Sequence, residues 1–226
     1  MIEYQWDGSL LPAPVLRDVL SVAIHQRGKR VRGRCKKGRW LRPLILISGQ
    51  SGAGKTTLTN ALYQGMRMAG VHAQVLRADD WYPGWHGFES GGATLEHMLT
   101  GTHQPFRSHG QPLLMSAPLL MSAPRGNCLG HYTWNWDRQL ADAVRLLNPL
   151  QPLIVEGCAI VTARTAQYAD RVIWVEAKQG AACRKERAIT RDGEVFRPWW
   201  DVWAAYDDTY VREDKPWQYA DWRVLT

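Results

Sequence analysis

Residues 43–69, P-L-I-L-I-S-G-Q-S-G-A-G-K-T-T-L-T-N-A-L-Y-Q-G-M-R-M-A, constrain the fold more than any other stretch. The opening apolar run is continuous rather than alternating, the pattern of a strand buried on both faces of a parallel sheet. After the turn, Leu58, Leu62 and Met66 recur at helical spacing, and Gly70 stands where such a helix would end. Between the two, Gly49 to Thr56 matches G-x-x-x-x-G-K-[ST], the Walker A pattern. Glycines let the backbone N–H groups curl around phosphate oxygens. The lysine brings a point charge to the β- and γ-phosphates, and the hydroxyl after it can bind Mg²⁺. The following helix adds its N-terminal dipole. Gly49, Ser51, Gly52, Ala53, Gly54, Lys55, Thr56 and Thr57 are therefore the candidate nucleotide-binding residues.

The rest of the chain repeats the strand–helix alternation. Residues 73–78, 152–155 and 172–175 read as strands, and residues near 223–225 as a short closing strand. Helices are expected over 12–26, 55–69, 92–100, 181–191 and 199–211, with another marked by Trp136, Leu140, Val144 and Leu147. Residues 101–135 are rich in Pro, Gly and His and read mostly as loop. They contain a tandem repeat, L-L-M-S-A-P at 113–118 and again at 119–124, which is too short to stack as a solenoid. Alternating elements imply right-handed crossovers and a mostly parallel sheet, with ligands at the carboxyl ends of the strands. The fold class expected is α/β, a three-layer P-loop NTPase-type fold. Residues 1–42 would form an N-terminal helix and connector, and residues 43–226 the main domain.

Charge narrows the partners. The net charge is +7, yet residues 27–42 alone carry nine Lys/Arg and no acid, and without those nine the chain would stand at −2. The segment has one aromatic, Trp40, and no series of them interleaved for base stacking, so a solvated connector is the reading and nucleic-acid contact the alternative. The N-terminus M-I-E-Y-Q-W-D-G lacks the basic and apolar regions of a signal peptide, and no run of about 18 apolar residues exists. A cytoplasmic protein without a membrane contact is expected, and a homodimer is compatible with the sequence. Cys35, Cys128, Cys158 and Cys183 have no zinc-ligand spacing and read as free thiols.

Two acids stand at strand ends. Asp79 and Asp80 follow the strand at 73–78, and Glu156 follows P-L-I-V. Phosphoryl transfer to a hydroxyl asks for positioning and charge neutralisation, and a carboxylate near the acceptor can orient the O–H and take its proton late. Adjacent strand residues point to opposite faces, so one of the Asp pair would face the phosphates. A turn-forming pair before Pro83-Gly84 is the plain alternative. Glu156, with Thr56, is the candidate metal site. Arg184, Arg187 and Arg191 share one helix face and suit a lid over the transferring group.

Taken in order, G-Q-S-G-A-G-K-T-T, D-D-W-Y, I-V-E-G and R-K-E-R-A-I-T-R-D resemble the uridine kinase/phosphoribulokinase-like group of P-loop small-molecule kinases. That group typically carries D-x-F-Y, an E-G after an apolar strand, and an R-x-x-R-x-x-x-R-D lid. D-D-W-Y-P-G-W and R-D-G-E-V-F-R-P-W-W look closest to a uridine-kinase-like bacterial branch. The resemblance implies ATP and Mg²⁺ as cofactors and Asp79 as the catalytic acid. It places Glu156 at the metal and acceptor, Arg184 with the nucleotide, and Arg187 and Arg191 with Lys55 in catalysis. Asp80, Trp81, Tyr82, Trp85 and Trp134 are the candidate acceptor-binding residues, with Trp136 nearby, since aromatic walls suit a base, a sugar face or a cation. The expected activity is phosphorylation of a small, nucleoside-like metabolite. The alternatives are another acceptor (an antibiotic, a pantothenate-like molecule or a sugar) and a nucleotide-dependent regulatory protein.

Overall fold

The computed structural model describes residues 1–8, 11–25, 43–100, 107–108, 111–112, 122–123, 126–127, 129–148 and 151–226. The basic segment, Cys35, Cys128 and all but two residues of the repeated hexads lie outside them. In chain order the main elements are β1 (Ile2–Gln5), α1 (Ala13–His25), β2 (Leu44–Ser48), α2 (Lys55–Met68), β3 (Gln74–Arg77) and α3 (Ser90–Thr100). There follow β4 (Leu129–Asn135), β5 (Leu140–Leu147), β6 (Leu153–Gly157), α4 (Ala163–Ala166), β7 (Arg171–Glu176), α5 (Gly180–Asp192), α6 (Trp200–Asp214) and β8 (Trp222–Leu225).

Six strands form one sheet in the order β1-β8-β7-β2-β6-β3, and every neighbouring pair is parallel. The fold is the expected α/β arrangement. The apolar runs of β2 and β6 are buried at every residue, and successive side chains enter opposite cores. Leu44, Leu46, Leu153, Val155 and Trp174 enter one core, covered by Leu95 and Leu99 of α3 and by Trp200, Trp203 and Tyr210 of α6. Ile45, Ile47, Ile154, Ile173 and Val175 enter the other, covered by Val15 and Val19 of α1 and by Leu58, Leu62 and Met66 of α2. Fully burying such a side chain contributes roughly 1.5–3 kcal/mol, so the strands that carry the site are the best anchored.

Two features differ from the sequence reading. The strand β1 is absent from it. Three of its four residues are exposed, which leaves no apolar pattern to read, and it is held at the sheet edge by pairing with β8. The helix expected around Trp136–Leu147 is a β-hairpin instead, β4 against β5. A spacing of four fits a helix face and also twice the period of a strand, so the apolar positions alone mislead. The turn decides. Asn135 Oδ1 accepts from the backbone N–H groups of Asp137 and Arg138 at 3.1 and 3.0 Å, and Gln139 takes a left-handed conformation at φ 53°.

The helix α1 is tied to the sheet by one carboxylate. Asp18 accepts two bonds from Arg171, at 2.7 and 2.8 Å, and a third from the Trp222 indole at 2.7 Å. The Arg171 bonds hold the Asp18 carboxyl below its usual range, against a partial opposing effect of burial. Among the described residues no helix is long and apolar enough to cross a membrane. Asp18→Ala strips three charge-assisted bonds from a half-buried cluster and should lower unfolding free energy by about 2 kcal/mol in a urea titration. A loss under about 0.5 kcal/mol would show that α1 is held by apolar packing alone.

Candidate active site

The glycine loop joins β2 to α2 at the carboxyl end of the sheet. Gly52 has φ +75°, and a Cβ there would lie 2.1 Å from the Arg184 carbonyl oxygen, so only glycine lets α5 come this close. No side chain caps α2, which leaves its first N–H groups to the loop concavity. Lys55 is buried. Its ammonium donates to Gln50 O at 2.9 Å and to Cys158 Sγ at 3.2 Å. Burial opposes that charge, but Cys158, Asp207 and Glu156 outweigh it and raise its pKa.

Residues from the carboxyl ends of β2, β3 and β6 converge with others from the hairpin, α5 and α6 on a cavity of about 290 Å³ beside this loop. Ser51, Lys55 and Thr56 form its floor. The Thr56 hydroxyl donates to Glu156 Oε1 at 3.1 Å, and Arg77 Nε stands 3.5 Å from the same oxygen. Burial pushes the Glu156 carboxyl upward, and Asp79 adds to the shift, while Lys55 and Thr56 oppose it. Burial likewise raises the Asp79 carboxyl against the pull of Arg191 and Lys55. The far wall is aromatic. Trp85 lies 4.6 Å from Trp136, ring to ring, and stacks on Phe196 at 5.4 Å. Trp203 meets Trp85 edge-on at 6.2 Å.

The Asp pair ends in a 3-10 turn, Ala78–Asp80, rather than in an extended strand. It still splits as the strand argument required, by a different geometry. Asp79 lines the cavity, and its backbone oxygen accepts from the Trp136 indole at 2.9 Å. Asp80 leaves the cavity and pairs with Arg145 of β5 at 2.9 Å. That pairing, with Arg145 also donating to Val75 O at 2.6 Å, fastens the hairpin over β3.

Of the residues named from sequence, Ser51, Lys55, Thr56, Asp79, Trp85, Glu156 and Arg191 meet in this cavity. Trp81 and Tyr82 do not line it. Both are buried, Trp81 donating to Gly91 O at 3.3 Å and the Tyr82 phenol donating to the Cys158 carbonyl oxygen, so they brace the turn that carries Asp79. Trp134 packs over Gly84. The three arginines separate. Arg191 reaches the cavity with its guanidinium bonded twice, at 2.6 Å, to Asp192. Arg184 is buried and donates to Ser51 O at 3.1 Å. Arg187 turns to the other side of the loop, where its Nη1 donates to Thr226 Oγ1 at 3.0 Å. There, with Gly54, Thr57 and Lys178, it lines a second cavity of about 660 Å³.

The structure adds residues that the sequence reading did not single out. Phe196 and Trp203 wall the first cavity, Asp192 holds Arg191, and Cys158 stands against Lys55. Phe196 and Asp192 lie inside R-D-G-E-V-F-R-P-W-W, so a signal for them existed. Trp203 reads as helix packing and serves both purposes. Cys158 carries no spacing signal. Burial pushes its thiol up to about 12, against the pull of the Lys55 ammonium.

No protein-family model matches the sequence, and no curated protein matches it significantly. Solved structures do. A candidate uridine kinase from Bacillus stearothermophilus aligns over 94% of this chain and 100% of its own, at 18% identity and a TM-score of 0.50. A candidate fructose transport system kinase from Silicibacter sp. TM1040 aligns over 93% and 97%, at 18% identity and a TM-score of 0.51. At this identity the likeness concerns the backbone. The chain shares the overall fold of these two structures.

Proposed function

We propose that the protein transfers the γ-phosphoryl group of ATP to a hydroxyl of a small, nucleoside-like metabolite. One observation carries this reading: Lys55, the Thr56–Glu156 pair and Asp79 face a single aromatic-walled cavity at the mouth of the glycine loop. ATP lies across the loop in this reading. Its base and ribose take the larger cavity beside Gly54, Thr57 and Arg187, and its γ-phosphate takes the smaller one. The acceptor's planar part packs against Trp85 and Trp136, which leaves its hydroxyl toward Asp79.

The residues fit Mg²⁺. Thr56 and Glu156 offer hard oxygen donors 3.1 Å apart. Among the described residues no group of three or more His, Cys, Asp or Glu gathers as a metal cage. Mg²⁺ takes one or two protein oxygens and completes its shell with phosphate oxygens and water. Bound there, it would neutralise phosphate charge. Lys55 would hold the β- and γ-phosphates, Asp79 would orient the acceptor O–H and receive its proton, and Arg191 would stabilise the transferring group after leaving Asp192.

A sugar acceptor is the second reading, since the Trp85–Trp136 face would also carry a sugar ring. A phosphosugar is disfavoured because Lys55 and Arg191, the two cations lining the cavity among the described residues, are both assigned to the nucleotide.

Asp79→Asn tests the assignment. The account expects turnover to fall by about 10²–10⁴, the usual worth of a positioned acid or base. MgATP affinity should change less than about threefold, by calorimetry, since Asp79 serves the acceptor rather than the nucleotide. Equal losses in both would remove Asp79 from the acceptor role. The pH profile gives a second check. Asp79 and Glu156 must be ionised to work, and both carboxyls are raised. Activity should therefore fail on acidification above the ordinary carboxylate range of about 4. An acid limb of kcat/KM at or below about 4 would contradict this.

A further inference from the structure

The glycine loop is gripped from α6. Asp207 is fully buried, and its Oδ2 accepts from the Ser51 backbone N–H at 2.6 Å. Its Oδ1 is buried with no oxygen or nitrogen donor, only the weakly donating Cys158 thiol near the carboxylate. The next residue, Asp208, accepts from Gln50 Nε2 at 2.8 Å. On the opposite side of Ser51, Arg184 holds the carbonyl oxygen. Two consecutive acids thus reach two consecutive residues of a loop whose chemistry is to bind anions.

A half-partnered buried carboxylate is costly to keep, since an unsatisfied acceptor loses its hydration without replacement. Hydrogen bonding to Ser51 needs only a neutral acceptor, which an amide would supply. What an acid adds is negative charge. Lys55, the residue expected to hold phosphate, feels that charge directly. We propose that Asp207 is an internal competitor of the nucleotide: its carboxylate holds the Ser51 amide in the nucleotide-free protein and is neutralised by a proton when the phosphates arrive. This rests on phosphate binding at the loop.

The competition has a path to the acceptor side. Asp207 and Trp203 are four residues apart on α6 and therefore share a face. Trp203 walls the acceptor cavity and packs edge-on to Tyr82 at 5.2 Å and to Phe88 at 5.1 Å. The carboxylate that grips the loop therefore stands on the same helix face as the indole that shapes that wall.

The test is calorimetric titration of MgATP and of adenosine into the wild type, Asp207→Asn and Asp208→Asn, with thermal melting to confirm folding. The isosteric amide keeps the shape and removes the charge. Asp207→Asn should bind MgATP about tenfold more tightly, the order expected for a unit charge removed a few ångströms from an anion in a partly buried site. Asp208→Asn removes the same formal charge from an exposed contact and should change MgATP affinity less than about threefold. Adenosine, which carries no phosphate, should bind all three alike.

A wild-type measurement stands beside the variants. The groups facing Asp207 are Lys55 from α2, the Ser51 amide from the loop, Arg184 from α5 and the Cys158 thiol after β6. Burial outweighs them and lifts its carboxyl to about 6. A phosphate arriving beside it raises that value further, so MgATP binding near neutral pH should take up protons. Titration in two buffers of different ionisation enthalpy reads this directly, and Asp207→Asn should abolish it. A folded Asp207→Asn that binds MgATP no more tightly than the wild type overturns the proposal. So does wild-type binding without proton uptake. In both cases MgATP still binds, and the loop's phosphate role survives. Failure of MgATP to bind any of the three proteins would overturn the phosphate-loop reading along with it.

Discussion

The parallel register of β2, β6 and β3 is the constraint on which the site depends. Glu156 pairs with Ile47 on one side and Arg77 on the other, and Gly157 pairs with Ser48. All three strands therefore end at one edge, where each hands over a different chemical group: the glycine loop, Glu156 and, one short turn later, Asp79. The edge is stitched where it matters, since the Ser48 hydroxyl donates to Gly157 O at 3.0 Å. Gly157 has no room for a side chain. A Cβ there would stand 2.2 Å from the Ala78 Cβ, so the approach of β6 to the Asp79 turn requires glycine.

That edge gathers charge in a small space. Lys55, Glu156 and Asp207 are buried there with the Asp79 carboxyl beside them, and each acid is raised by desolvation and lowered by the cations around it. Burial of Lys55, Glu156 and Asp207 lowers the local dielectric, which strengthens the electrostatic contacts made there. The same setting makes each unsatisfied group expensive. Lys55 covers its charge by bonding Gln50 O and Cys158, and Asp207 covers half of its own by bonding Ser51. These internal partners hold the loop in shape, and phosphate oxygens and a metal ion are their natural replacements.

Much of the architecture is legible in the sequence because it depends on local signals. The buried strands announce themselves as apolar runs, and the loop by its glycines and Lys55. The amphipathic helices are read from apolar spacing. Legibility stops where two periods coincide or where the deciding contact is distant. The β4–β5 hairpin has apolar residues at a spacing shared by helix and strand, and the Asx turn at Asn135 settles it. Asp80, Trp81 and Tyr82 belong to the same motif as Asp79, yet their roles diverge through Arg145 and Cys158, far along the chain, and Gly91, ten residues on. Asp207 sits in an ordinary helical stretch, and only the folded chain brings it to Ser51, 156 residues earlier.

The central claim is that the loop and Asp79 serve one transfer, from ATP to a small hydroxyl-bearing molecule. The most direct test is to incubate the purified protein with MgATP and a panel of nucleosides, sugars, vitamins and aminoglycosides, and to follow both partners by mass spectrometry. The account predicts one acceptor class that gains a single phosphoryl group, nucleosides first, with ADP appearing mole for mole. Tight MgATP binding with no acceptor phosphorylated and no ADP formed would contradict it.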